Sequence, residues 1–189
     1  PDYEVDPNLI VYDNLGGYGI TRGVSMAINH SFKFPVRLRM GATFMDVFEK
    51  TEDENGNPLK EEQLFAPKFS GTFGLTYNLK KAGLEFSWIG RVMGPQNLPT
   101  FADEFARPEV SPWFTVQHLQ MNKKFEKIGL DVYLGAKNIF NYTQDSPLID
   151  PSNPYGDNFD TSYAYGPLQV RRFFVGLRWQ LDRKESDAK

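Results

Sequence analysis

The stretch Lys68-Phe69-Ser70-Gly71-Thr72-Phe73-Gly74-Leu75-Thr76-Tyr77-Asn78-Leu79 decides the fold. Its odd positions are Phe69, Gly71, Phe73, Leu75, Tyr77 and Leu79, and its even positions are all polar or small. That is the period of two of an extended strand with one apolar face. The run is 12 residues long, whereas strands of soluble proteins typically have about five or six. A β-strand that crosses a membrane needs about 9–11 tilted residues.

The same period continues on both sides of this stretch. Ile20–Phe32 places Ile20, Val24, Met26, Ile28 and Phe32 opposite Thr21, Gly23, Ser25, Ala27, Asn29 and Ser31. Val36–Phe48, Leu84–Met93, Leu130–Ile139 and Leu168–Leu181 alternate in the same way. Trp113–Lys124 is less regular, because His118 and Gln120 interrupt it, and a β-bulge is expected there. The expected architecture is all-β, with seven long antiparallel strands. Their connections alternate in length. Lys33–Phe34, Lys80–Gly83 and Phe125–Gly129 are short, whereas Glu49–Pro67, Gly94–Pro112 and Phe140–Pro167 are long and rich in turn residues. Short turns at one end and long loops at the other describe an outer-membrane barrel. Seven strands leave two open edges, which lipid does not tolerate. The remaining strands are therefore expected from the rest of the polypeptide or from partner chains. The opening Pro1-Asp2-Tyr3-Glu4 has neither an initiator Met nor a signal peptide, so the chain reads as a piece that begins within an extracellular loop.

Composition narrows the function. Of 189 residues, 40% are hydrophobic and 24% charged, which excludes a disordered chain. The net charge of -3 gives no basic surplus for nucleic acid. With no cysteine, thiol catalysis, disulfides and cysteine metal sites are excluded. No run of about 18 apolar residues marks a transmembrane helix.

Three motifs, in order, resemble the C-terminal part of a TonB-dependent outer-membrane receptor. The first is Asp13-Asn14-Leu15-Gly16-Gly17-Tyr18-Gly19-Ile20-Thr21-Arg22-Gly23-Val24, with Ser25 where the family usually has an acidic residue. The second and most specific is Gly135-Ala136-Lys137-Asn138-Ile139-Phe140-Asn141, similar to a G-x-x-N-[IL]-F-[DN] strand end. The third is Gly166-Pro167 followed by Arg171-Arg172-Phe173-Phe174-Val175-Gly176-Leu177-Arg178-Trp179, similar to the closing strand. That strand usually ends on an aromatic residue. Here Leu181 holds the place and a charged tail, residues 182–189, follows. The resemblance covers essentially the whole chain. It implies that residues 1–181 are the last seven strands of a 22-stranded barrel plugged by an N-terminal domain. The implied partners are the N-terminal remainder of the same receptor (plug and earlier strands), the TonB energy-transducing complex and outer-membrane lipid. The implied function is active uptake of a scarce nutrient across the outer membrane of a Gram-negative bacterium. The expected substrate is a metal complex such as a siderophore, haem or cobalamin. The alternatives are a passive porin-type channel and a soluble β-domain that binds protein or sugar.

No catalytic constellation is present, and neither a cofactor nor an enzyme activity is expected. His30 and His118 lack metal-ligand spacing. His30 reads as interfacial, and His118 as a structural residue that faces the lumen if a bulge shifts the register. Glu52-Asp53-Glu54 and the trio Asp150, Asp157 and Asp160 lack the ordered ligand spacing of a calcium loop. Gly16-Gly17-Tyr18-Gly19 lacks the helix and lysine of a phosphate loop. Two residue sets remain. Arg37, Arg39, Arg91, Lys137, Arg172 and Arg178 lie on the polar side of their strands, where they would face a lumen, the plug or an anionic substrate. Phe101, Phe105, Trp113, Tyr142, Tyr155, Phe159, Tyr163 and Tyr165 lie in or beside the long loops. They either grip a ligand or pack the loops onto themselves.

Overall fold

Alternating sequences of this length form strands that pair with their neighbours in register, and the computed structural model shows such pairing throughout. It describes residues 17–52, 56–101 and 103–180. The strands are β1 (Tyr18–Ser31), β2 (Val36–Glu52), β3 (Pro58–Glu62), β4 (Phe69–Leu79), β5 (Leu84–Met93), β6 (Phe114–Phe125), β7 (Leu130–Lys137) and β8 (Arg172–Trp179). They form one antiparallel sheet in the order β1-β2-β4-β5-β6-β7-β8, with β3 paired to the far end of β2. The described residues contain short 3-10 turns and no α-helix. Among the described residues no helix is long and apolar enough to cross a membrane.

The registers keep every apolar face on one side. Ile28 is opposite Met40 and His30 opposite Leu38, and Leu38 then faces Leu75. Leu75 is opposite Trp88, Trp88 opposite Leu119, Leu119 opposite Ala136 and Ala136 opposite Phe173. A slip of one residue at any of these pairings would send a whole strand's apolar set to the other side. This apolar face is bare. Val24 is 62% exposed, Val175 75% and Trp179 70%. The buried apolar cluster lies instead under the long loops, around Leu98, Ile149 and Tyr163.

The short turns repeat one device. Lys80–Ala82 and Glu126–Ile128 are single 3-10 turns, each ended by a left-handed glycine, Gly83 (φ 59°) and Gly129 (φ 63°). The Gly83 carbonyl accepts from Lys124 N at 2.8 Å, and the Gly129 carbonyl accepts from Gln180 N at 2.8 Å. A Cβ on Gly83 would stand 2.6 Å from the Lys124 carbonyl oxygen, and one on Gly129 would strike the Gln180 carbonyl oxygen. Alanine at either position should lower stability by about 1–2 kcal/mol from the left-handed backbone alone, with the clash added. A thermal melt of the folded barrel would show it. Gly19, whose Cβ would meet nothing within 4 Å, is the neutral control.

Three expectations need correction. Among the described residues the seven long strands expected are joined by a short eighth, because β3 forms inside the stretch read as the loop Glu49–Pro67. There is no bulge in Trp113–Lys124, since β5 and β6 pair without interruption from Leu84–Lys123 to Met93–Phe114. His118 lies on the polar side by simple parity. The pattern is irregular there because Phe114 and Val116, on the same side, are covered by loop residues. The last strand is also shorter, spanning Arg172–Trp179 rather than Leu168–Leu181. Residues 1–16, Asp53, Glu54, Leu181 and the charged tail lie outside the described residues.

Candidate functional site

The polar face and the loops above it form one surface. Arg37 and Arg39 come from β2, Arg91 from β5, Lys137 from β7, and Arg172 and Arg178 from β8. Parity and register place all six on the polar face. Arg39 is opposite Gly74, Gly74 opposite Ile89 and Ile89 opposite His118, while Lys137 is opposite Arg172. All six are exposed, and none has an ion-pair partner among the described residues. Glu85 and Asp131 lie toward the short-turn end. There Glu85 accepts from Asn78 Nδ2 at 3.4 Å and from Asn122 Nδ2 at 3.2 Å. Glu85, Asn122, Lys124, Asp131 and Arg178 line a cavity of about 680 Å³. Arg37 and Arg178 thus lie toward the turns with Glu85 and Asp131, and Arg91, Lys137 and Arg172 toward the loops, where Glu49 and Glu61 share the polar face.

The second and third long connections fold together over the loop end of this face. Ile149 is 1% exposed and Tyr163 3%. Tyr163 stands edge-on to Phe101 at 5.9 Å and to Tyr165 at 6.0 Å between ring centroids. Its Oη donates to the Pro108 carbonyl at 2.8 Å, tying the third loop to the second. Phe105 packs against the same cluster. Tyr142 stacks on Phe114 at 5.3 Å with planes 1° apart, which anchors the loops to β6. Phe159 is half-buried, and Tyr155 projects at 98% exposure. Trp113 is placed differently, on the apolar face, 5.4 Å from Phe69. Of the eight aromatics named from sequence, the structure therefore brings Phe101, Phe105, Tyr142, Tyr163 and Tyr165 together. It leaves Tyr155 alone at the loop surface.

Burial raises the hydroxyl pKa of Tyr142, Tyr163 and Tyr165 above that of free tyrosine. The neighbouring Tyr165 hydroxyl raises Tyr142 further. A raised folded-state pKa means that the folded loops hold these protons more tightly than the unfolded chain does. Their contribution is complete below pH about 10, the unfolded tyrosine value, and fades as pH rises through the raised values. Phenolate absorbance should therefore show tyrosines that ionise late, with loop opening as they do. A titration of all nine tyrosines as one ordinary class would contradict this packing.

Gln144, which sequence reasoning passed over, and the two asparagines of the Gly135–Asn141 motif set the loop geometry. Gln144 is 5% exposed. Its Nε2 donates to the Tyr163 carbonyl at 3.0 Å, while its Oε1 accepts from Tyr165 N at 2.8 Å and Gly166 N at 2.9 Å. Asn138, at φ 51°, is also 5% exposed. Its Nδ2 donates to the carbonyls of Tyr142 (2.7 Å) and Gln169 (3.0 Å), and its Oδ1 accepts from Tyr142 N (3.1 Å). Its own N donates to His118 Nδ1 at 3.1 Å, which gives the polar-face histidine a structural partner. Asn141, at φ 56°, accepts from Arg171 N at 2.7 Å. The motif Gly135–Asn141 is thus a pair of asparagine clamps joining the exit of β7 to the start of β8. Among the described residues no group of acidic, histidine or cysteine side chains could hold a metal ion.

No protein-family model and no curated protein sequence matches the chain. Solved structures do. The ferric-catecholate import receptor Fiu from E. coli K12, in its closed form, superposes with a TM-score of 0.61 at 16% identity, over 85% of this chain and 21% of that one. The FrpB iron transporter from Neisseria meningitidis superposes with TM-scores of 0.59 (F5-1 variant, apoprotein) and 0.58 (F3-3 variant). Identities there are 15% and 16%, over 87% and 86% of this chain and 24% of each transporter. The chain therefore spans about a fifth to a quarter of the structures it matches. The likeness shows the fold, which is that of a barrel portion of such receptors.

Proposed function

We propose that this chain forms barrel wall and ligand-capturing loops of a TonB-dependent outer-membrane receptor that actively imports an anionic metal complex. One observation carries the reading. Seven long strands hold a single apolar face in unbroken register, and the loops fold over the other face. A soluble domain covers its apolar face. Here the bare side suits lipid, and the covered, cationic side suits a lumen with a plug at its turn end. The edges of β1 and β8 would pair with the receptor's remaining strands, and the plug would carry the contact with TonB. Iron is the metal favoured by the two kinds of structure matched, and the unpaired cations favour a negatively charged complex.

Uptake of a radiolabelled ferric catecholate by iron-starved cells tests this. Transport should require the receptor that carries this chain and should stop when a protonophore collapses the inner-membrane gradient. Uptake that survives the protonophore would indicate a passive channel. Reversing two charges, Arg39→Glu with Arg172→Glu, should weaken binding of the anionic complex by at least about tenfold and leave a neutral one unchanged, since the field on the polar face changes sign locally. Equal losses for both ligands would mean the variant is misfolded or the cations serve only the wall.

A further inference from the structure

We propose that His118 is an acid-sensitive latch on the third long loop: neutral, it holds the Asn138 clamp shut, and protonated, it lets residues 141–171 open. The proposal rests on the ligand-capturing reading of that loop for its purpose, whereas the latch itself rests on one hydrogen bond. His118 stands on the polar face of β6, opposite Ile89 of β5. β7 ends at Lys137, and the chain turns at Asn138 with φ 51°. The next residue returns to the neighbouring strand, Ile139 N donating to the Gln117 carbonyl at 2.9 Å. Asn138 N donates to a side chain instead, His118 Nδ1, at 3.1 Å.

A backbone N–H can only donate, so Nδ1 is the bare nitrogen of a neutral imidazole whose proton sits on Nε2. Protonation puts a second N–H where the acceptor was. Asn138 is buried, so its amide is left without an acceptor and the peptide must move to find one. That peptide carries the clamp. The Asn138 side chain holds the Tyr142 amide and the carbonyls of Tyr142 and Gln169, which lie at the two ends of the loop. One proton on the imidazole therefore acts at the point where both ends meet.

The surroundings offer an imidazolium nothing in exchange. Among the described residues the charged groups acting on His118 are Arg91 of β5 and Lys137 of β7, both cations. Val116 and Gln120 flank it on its own strand. The latch is therefore whole above pH about 6.5, the value of a free histidine, and is lost as pH falls below it. Carboxylates as a class titrate near pH about 4, below this window. His118 is half-buried rather than sealed, and on the membrane reading its side of the sheet meets the external medium. The chain's other histidine, His30, is set apart on the apolar face beside Phe32.

The test uses the whole receptor that carries this chain, in detergent, digested briefly with thermolysin at pH about 7.5 and about 5.5, on either side of the histidine range. Cuts within residues 141–171 are counted against cuts within residues 49–67 of the same digest, which cancels the protease's own pH dependence. The ratio should rise at least about fivefold on acidification. His118→Asn sets a carbonyl oxygen near the place of Nδ1 without a titrating group, and its ratio should stay low at both pH values. His118→Leu has no acceptor, and its ratio should be high at both. A ratio that stays flat in the parent, rises as steeply in His118→Asn, or stays low in His118→Leu overturns the latch. Where one variant gives no folded band, the parent and the other variant decide. The cut ratio reads the loop alone, so a failed latch leaves the import reading standing, and uptake that survives the protonophore leaves the latch standing.

Discussion

Asn138→Ala is expected to cost about 3–5 kcal/mol and to free the third long loop. The substitution leaves the carbonyls of Tyr142 and Gln169 and the amide of Tyr142 without their partners. Each such group in a buried setting costs about 1–3 kcal/mol. Alanine must also hold φ near 51°, which asparagine tolerates better. Two further variants separate these causes. Asn138→Gly relieves the backbone and should recover about 1 kcal/mol. Asn138→Asp keeps the acceptor for Tyr142 N but sets a carboxylate oxygen against two carbonyls, and should be no better than alanine. Denaturant midpoints give the ranking, and limited proteolysis reports the loop, with cleavage expected between Asn141 and Arg171. If the alanine variant lies within about 0.5 kcal/mol of the parent, the clamp is not what holds β8 to β7.

The contrast between this residue and its surroundings shows what the sequence could reveal. Alternation alone predicts the strands, their faces and the long and short ends, because a face buried in any apolar medium demands a period of two. The likeness of Gly135–Asn141 to a family motif marks Asn138, but its clamp is made by Tyr142 and Gln169, and Gln169 lies 31 residues away. Gln144 has no local signal, since its three partners lie at positions 163, 165 and 166. β6 looks irregular for the same reason. Phe114 and Val116 are apolar on a polar face because a loop lies over them, and loop placement is not written in the strand. Some of the record was legible and needed only strict parity. Trp113 has the parity of Leu119 and Met121 and so belongs to the apolar face. Arg22 and Asp46 both fall at apolar positions of their strands, which already marks them as a pair above the belt.

Leu75→Arg and Thr76→Arg, at adjacent positions, should differ by about 2–4 kcal/mol, and the sign of that difference tests the whole architecture. Leu75 sits between Leu38 and Trp88 on the apolar face. Thr76 sits between Arg37 and Ser87 on the polar face, with its Oγ1 3.5 Å from Ser87 Oγ. In a membrane barrel, arginine on the lipid side costs about 2–4 kcal/mol near the midplane, whereas the lumen side solvates it. Leu75→Arg should therefore abolish the heat-modifiable folded band and leave protein in the periplasm for degradation. Thr76→Arg should assemble at close to parental levels, with about 0.5 kcal/mol at stake from the hydroxyl contact. A soluble sheet whose apolar face meets water would order them differently. There Leu75→Arg would exchange exposed apolar surface for charge and improve solubility. Thr76→Arg would add a cation beside Arg37 in both cases, so it cannot by itself produce the difference. Only the medium against the apolar face can, because the two variants share a backbone, a strand and a charge.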